Sequence, residues 1–398
     1  MKILYIHQYF KTPNEPGGTR SYWISRELIS RGHDVIMLTT RPNQSCEREE
    51  LVLDGLRVVS FSVPYQQSMG IWQRLRAFFD FMLRATKEGM KYQDVDLVIA
   101  TSTPLTVGYP ALRIKHALKI PYVFEVRDLW PEVPIQMGAL ENPLLQRIAR
   151  WFERKIYVNA NHVVTLSPGM QKGVTKYIPQ DRTSMIPNMA KIHEFWPREI
   201  NMAFVEELGL HPASFKVIHF GSLGLANGAE YIIEAARAMV NNADVEFIFL
   251  GGGSTEKMLK EKCRELKLEN VKFLGKYPMD LTSEIVNFCD VSVVTFKDLP
   301  VLYTNSPNKF FDSLSAGKPI IVNSPGWTKD IVEKHNCGFF VNPSKPEELV
   351  ERILFLKQNP AITAEMGAKS RWLAENQYDK SILCRQFANV VENCLNNP

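Results

Sequence analysis

The sequence predicts an α/β protein of two doubly wound domains facing across a cleft, and three observations predict it. Short apolar runs alternate with amphipathic stretches of helical spacing. That alternation stops at a proline-containing break and then starts again. The length, 398 residues, exceeds one ordinary domain and suits two.

In the first half, Lys2–Ile6, 35–39, 57–63, Leu97–Thr101, Tyr122–Val126 and 162–166 read as buried strands. Segments 20–31 and 110–118 read as helices between them. Strands covered by helices on both faces are apolar throughout rather than alternating, which is the pattern of a parallel sheet. The break runs from Ile186-Pro187-Asn188 to Trp196-Pro197 and reads as a hinge. Beyond it, 216–220, 246–250, 271–274, 291–296 and 320–323 form the second set of strands, with helices at 228–240, 255–266 and 309–316. The expected domains are therefore 1–187 and 198–374. In the segment 375–398, Ile382, Leu383, Phe387, Val390, Val391 and Leu395 share one helical face that can pack back onto the first domain. Ligands of such sheets sit outside the carboxyl ends of the strands.

Composition narrows the function. A net charge of +4 with 45% apolar and 23% charged residues excludes a whole-protein polyanion binder, and no nucleic-acid partner is expected. The six cysteines are scattered without CxxC spacing, so reduced thiols are expected rather than disulfides or zinc. The chain enters its first strand directly, without the charged and apolar regions of a signal peptide, and holds no apolar run of about 18 residues. A cytoplasmic protein is expected, at most peripheral on the inner face of the plasma membrane. The helix expected over 71–92 groups Ile71, Trp72, Leu75, Phe78, Phe79, Met82 and Leu83 on one face, with Arg74, Arg76, Arg84, Lys87 and Lys91 around it. Such a helix can lie in a membrane surface or pack in the core, and the sequence leaves both open.

Several segments could carry chemistry. Gly17, Gly18, Thr19 and Arg20, after Pro16, join a strand to a helix; paired glycines and a helix N-terminus suit an acceptor or phosphate loop. A plain turn is the competing reading. In Phe124-Glu125-Val126-Arg127-Asp128-Leu129-Trp130-Pro131 a buried strand delivers two charges. Asp128 could orient an acceptor hydroxyl, and Arg127 could hold a phosphate or Asp128 itself. Gly221, Ser222 and Asn227 follow the next domain's first strand, and Gly251 and Gly252 follow its second. Both loops suit a diphosphate. Lys276 and Tyr277, which follow the third, join the donor-site candidates. Densest is the run through Thr304, Asn305, Ser306, Pro307, Asn308 and Lys309 to Asp312, continuing into Ala316-Gly317-Lys318-Pro319. Lys309 in a first helical turn opposes the helix dipole unless an anion is near, and Asp312 follows on the same face. No HExxH, Gly-x-Ser-x-Gly or Walker loop occurs, and no metal or cofactor is expected.

Arg127-Asp128-Leu129-Trp130-Pro131, Gly224-Leu225-Ala226-Asn227-Gly228, Ser306-Pro307-Asn308-Lys309 and Ala316-Gly317-Lys318-Pro319 together resemble the GT-B glycosyltransferases of family 4 (glycosyltransferase group 1). The resemblance runs from the first strand to about residue 372 and leans to the WbuB-like L-fucosamine transferase branch of bacterial surface-polysaccharide enzymes. It implies a UDP-sugar donor, a lipid-linked saccharide acceptor, retention of anomeric configuration and catalysis by Asp128, Arg127 and Lys309 without a metal. An N-acetylated amino-deoxy-hexose such as L-FucNAc, moved to an undecaprenyl-diphosphate-linked acceptor in O-antigen or capsule synthesis, fits that branch. The family's Glu-x7-Glu pair places its second member on Asp312, toward the ribose, and its first on Thr304, which is no carboxylate. Where relatives carry Arg and Lys for the diphosphate this chain offers Ser222 and Asn227, so more falls to Lys309. The His that often lies near Arg127 is absent. Two other readings stay open: an isomerase like UDP-N-acetylglucosamine 2-epimerase, and a non-catalytic nucleotide-binding scaffold subunit.

Overall fold

The computed structural model describes residues 1–15, 17–42, 44–65, 69–242 and 244–396. Pro16, which opens the first glycine loop, and residues 397–398 of the C-terminal segment lie outside the described residues. The chain forms two compact units, Met1–Pro187 with Ser381–Pro398, and Asn188–Lys380.

The first unit is an eight-stranded sheet. Its strands are β1 (Lys2–Ile6), β2 (Asp34–Thr40), β3 (Arg48–Leu53), β4 (Leu56–Phe61), β5 (Leu97–Thr101), β6 (Tyr122–Val126), β7 (His162–Thr165) and β8 (Thr183–Met185). They lie in the order β3-β4-β2-β1-β5-β6-β7-β8. Every pairing is parallel except β3 with β4. That antiparallel ribbon turns through Asp54 and Gly55, both at positive φ (49° and 81°). An Asp-Gly pair favours this tight turn. The central strands β1 and β5 are buried along nearly their whole length, as the apolar runs required.

The helices Ile71–Gly89, Gly108–Leu118 and Pro143–Asn159 each follow a strand and precede the next one in the same direction across the sheet. Right-handed crossovers therefore put all three on one face. They pack side by side: a Cβ on Gly89 would meet Ile114 and one on Gly108 would meet Ile156. The Arg20–Ser30 helix connects β1 back to β2, so it lies on the opposite face. There the C-terminal helix, Lys380–Asn396, meets the same layer. Arg31 donates to Asn389 and pairs with Glu392, and His33 lies 2.9 Å from Glu392.

The second unit is a six-stranded parallel sheet in the order β11-β10-β9-β12-β13-β14. Its strands are β9 (Phe215–Ser222), β10 (Val245–Gly252), β11 (Val271–Gly275), β12 (Val291–Val294), β13 (Ile320–Val322) and β14 (Gly338–Phe340). In each sheet the first strand sits between neighbours reached in opposite directions, β1 between β2 and β5 and β9 between β10 and β12. The carboxyl ends of these strands border the crevice where such sheets take ligands.

Candidate active site

The second unit's strand ends converge on one lysine. Lys309 stands in the first turn of the Asn308–Ser315 helix, whose N-terminus has no side-chain cap. Its ammonium is buried, 3.0 Å from Nε2 of His219 and 3.2 Å from Oδ1 of Asn227. Nδ1 of His219 lies 3.0 Å from the Val293 carbonyl, which can only accept. The ring therefore keeps its proton on Nδ1 and turns the Nε2 lone pair to Lys309. Burial and the Lys309 charge hold the His219 pKa well below its usual value. Among the described residues no carboxylate pairs with Lys309, and burial brings its pKa down to about 7.

The glycine loops stand beside this lysine. Gly221 has φ 96° and its Cα faces the Lys309 side chain, with Cε 3.6 Å from where a Cβ would be. Gly251, paired with Gly221, has φ 133°, and a Cβ there would lie 1.9 Å from the Gly221 carbonyl oxygen. Only glycine fits at that approach. Ser222 is exposed at the strand end, and Leu223 N–H donates to the Gly252 carbonyl, closing the second loop. Lys276 is exposed and runs past Gly252. Tyr277 instead packs on the cluster around Ile218 and Phe220. Thr304 Oγ1 donates to the Val301 carbonyl. Asn305 presents a buried side-chain oxygen that has no hydrogen-bond partner among the described residues.

In the first unit, β1, β5 and β6 end together. Asp128 Oδ2 accepts from Thr103 Oγ1 at 2.8 Å, and Arg127 N–H donates to Ser102 Oγ at 3.0 Å. Burial raises the Asp128 pKa above the ordinary carboxylate value, against the opposing pull of Thr103 and Arg127. Arg127 forms no ion pair with Asp128, which answers one alternative of the sequence reading. Its charge instead reaches His7, the residue after β1, and with burial holds that imidazole well below its usual pKa. Nδ1 of His7 lies 2.7 Å from Ser21 Oγ. His7 and His219 are the residues that sequence reasoning missed; the first follows β1 and the second lies in the latter half of β9, and a lone histidine in an apolar strand run is the signal that could have marked them. Gly17 (φ 133°) and Gly18 lie at the surface ahead of the Arg20–Ser30 helix, while Thr19 is buried at its start and makes no side-chain cap.

Three expectations change. Arg20 is not available to an anion: it is 2% exposed, its Nε donates to Glu125 at 2.7 Å, and its other nitrogens donate to the Ile186 and Pro187 carbonyls. Ser306, in the run expected to carry chemistry, is taken up within the fold: it accepts from Asn188 N–H at 3.1 Å, and its carbonyl accepts from the Asn188 amide. Asp312 is not presented as a free carboxylate, because it is buried in an ion pair with Lys191 at 3.1 Å. Burial raises its pKa and Lys191 opposes the rise. Asp312→Asn is accordingly expected to lower stability by about 1–3 kcal/mol, the cost of leaving a buried charged group without its partner. A urea melt measures that loss, and calorimetry with UDP on the folded variant should show unchanged affinity.

Residues 17–189 match the glycosyl transferase 4-like domain, and residues 203–372 match the glycosyl transferases group 1 family. The probable glycosyltransferase WbjE of Pseudomonas aeruginosa is 25% identical over 82% of this chain and 81% of its own length. Sucrose-phosphate synthase from Thermosynechococcus elongatus superposes with a TM-score of 0.81 at 16% identity, covering 100% of both chains. HepE of Anabaena, solved with UDP and glucose, superposes with a TM-score of 0.73 at 20% identity over 98% of this chain and 99% of its own. With one half matching each of the two domain families, the chain is an enzyme of the GT-B glycosyltransferase family.

Proposed function

We propose that the protein transfers a sugar from a UDP-sugar to a lipid-linked saccharide acceptor with retention of anomeric configuration. The observation that carries this reading is Lys309: a buried ammonium without a counter-ion among the described residues, beside two glycine loops and a helix N-terminus. A buried charge is stable only when paired, and a diphosphate supplies the missing anion. HepE, of the same fold, holds UDP and glucose. In the reaction the bond from the anomeric carbon to the diphosphate oxygen breaks and a bond to the acceptor oxygen forms. The acceptor proton passes to the departing phosphate, so no strong protein base is needed. Lys309 and the loop amides around Gly221 and Gly252 stabilise the departing charge, and Asn305 offers its side-chain oxygen to a donor hydroxyl. Asp128, held by Thr103, positions the acceptor hydroxyl while Arg127 supplies positive charge beside it.

The WbuB-like motif set favours an N-acetylated amino-deoxy-hexose such as L-FucNAc as the sugar. It favours undecaprenyl diphosphate as the carrier, in O-antigen or capsule synthesis at the inner face of the plasma membrane. No helix of the described residues is long and apolar enough to cross a membrane. The exposed Trp72 and Phe79 of the Ile71–Gly89 helix support contact with the membrane surface instead.

A thermal-shift screen of UDP-sugars, then mass spectrometry with prenyl-diphosphate-linked acceptors, tests the reading. A donor converted with no acceptor present would indicate an isomerase, and tight UDP binding without turnover a scaffold subunit. Asp128→Asn should lower turnover about 10- to 100-fold, as a misplaced nucleophile does, with UDP affinity unchanged by calorimetry.

A further inference from the structure

The three helices that cover one face of the first sheet share an outer surface that the core does not explain. On Ile71–Gly89 the residues Trp72, Arg76, Phe79, Leu83 and Lys87 are exposed at helical spacing, Trp72 by 82%. Pro143–Asn159 repeats the pattern with Leu144 (65%), Arg147, Ile148, Trp151 (59%), Arg154 and Lys155. Between them Gly108–Leu118 exposes Arg113 and His116. The carboxylates of these helices are Asp80, Glu88 and Glu153. Asp80 is paired with Arg84, Glu88 is buried against Arg48 and Lys91, and Glu153 is buried beneath its helix. Two of the three are buried, and the half-exposed Asp80 is neutralised by Arg84.

We propose that this three-helix face docks on an anionic lipid bilayer, with Pro143–Asn159 as the second of two interfacial helices. The proposal rests on the lipid-linked acceptor read above and deepens it. Single exposed apolar side chains are ordinary, but two stripes of them on two helices of one layer are not. Tryptophan and leucine interleaved with arginine match a helix lying at headgroup depth, where rings bury and basic groups meet anionic lipid. Nucleic acid would leave Leu83, Leu144 and Ile148 without partners. A second copy of the same face would bring like charges together.

The test is cosedimentation of the full chain, without donor or acceptor, with vesicles of phosphatidylcholine alone or mixed with phosphatidylglycerol. Binding is expected to the mixed vesicles at low salt and to fall as salt rises. Reversing Arg147 and Arg154 together, Arg147→Glu with Arg154→Glu, should weaken it about 100-fold. Ile148→Ser with Trp151→Ser should weaken it at least about 10-fold. Circular dichroism and UDP calorimetry on the same samples should match the parent, which separates failure of the surface from failure of the donor site. Four results would each overturn the proposal: no binding by the folded chain, equal binding to neutral vesicles, full binding by the 143–159 variants, or a dimer dissolved by Trp151→Ser.

Discussion

Arg20→Ala is expected to lower stability by about 3–5 kcal/mol, the largest loss from any single substitution considered for this fold. Arg20 and Glu125 form an ion pair at 2.7 Å in which both side chains are at most 1% exposed. Thr101 donates to the remaining Glu125 oxygen at 2.8 Å, and Arg20 also donates to the Ile186 carbonyl at 2.9 Å. Removing the guanidinium leaves a buried carboxylate with one hydroxyl partner and leaves carbonyls at the end of the first unit without donors. Glu125→Ala should cost a similar amount, by stranding the cation instead. The double replacement Arg20→Met with Glu125→Leu should cost less than either, because an apolar pair needs no charge compensation. Urea unfolding of the three variants measures the order. Equal losses for single and double variants would show that packing, not charge, dominates there.

The second large effect falls on turnover. Lys309→Met should lower kcat/KM about 100- to 1000-fold, the usual loss when one preorganised donor to a developing anion is removed. The fold should persist, since among the described residues Lys309 has no ion-pair partner to strand. The same lysine predicts a pH dependence of donor binding. Its pKa in the free protein is lowered to about 7 by burial, so above pH 7 the amine is mostly neutral. A diphosphate favours the charged form and raises the pKa again. Binding above pH 7 must therefore draw in a proton, and UDP affinity should fall by up to about tenfold per pH unit as pH rises. The phosphate's own last ionisation, near pH 6, is complete by then. Calorimetry at pH 8 in buffers of different ionisation enthalpy should detect the uptake. The Met variant should lose both the uptake and the slope.

How far the sequence foretold the molecule depends on the distance over which each feature is built. Parallel strands buried on both faces are apolar along most of their length, so β1, β5 and β6 were legible from a few residues each. The glycines at 221 and 251 were legible as loop formers, though not the approach to the Gly221 carbonyl that makes glycine necessary at 251. β4 was read at 57–63, but its antiparallel partner β3 was missed although Asp54-Gly55 announces the turn between them, because β3 is polar and exposed. Arg20 was misread because its partner lies 105 residues away, and Lys309 was seen without His219, 90 residues away. A side chain's type can be read locally, but its partner is set by the topology. The stripe on Pro143–Asn159 was hidden for a related reason. Apolar residues at helical spacing look alike whether they face a sheet or solvent.

The helix Lys380–Asn396 gives the first unit a history that its static packing does not show. From Ser381 on its residues belong to that unit, yet the ribosome delivers them only after all of Asn188–Lys380. At about 5–20 residues per second, the earlier part of the unit waits roughly 10–40 s for its last helix. During that interval Arg31 and His33 lack Glu392, and the surface later covered by Phe387 and Val391 is open to water or to a chaperone. Translation that stops before residue 381 would thus release a first unit without this helix, and nascent-chain proteolysis should find that unit protected only once residues 381–396 have emerged.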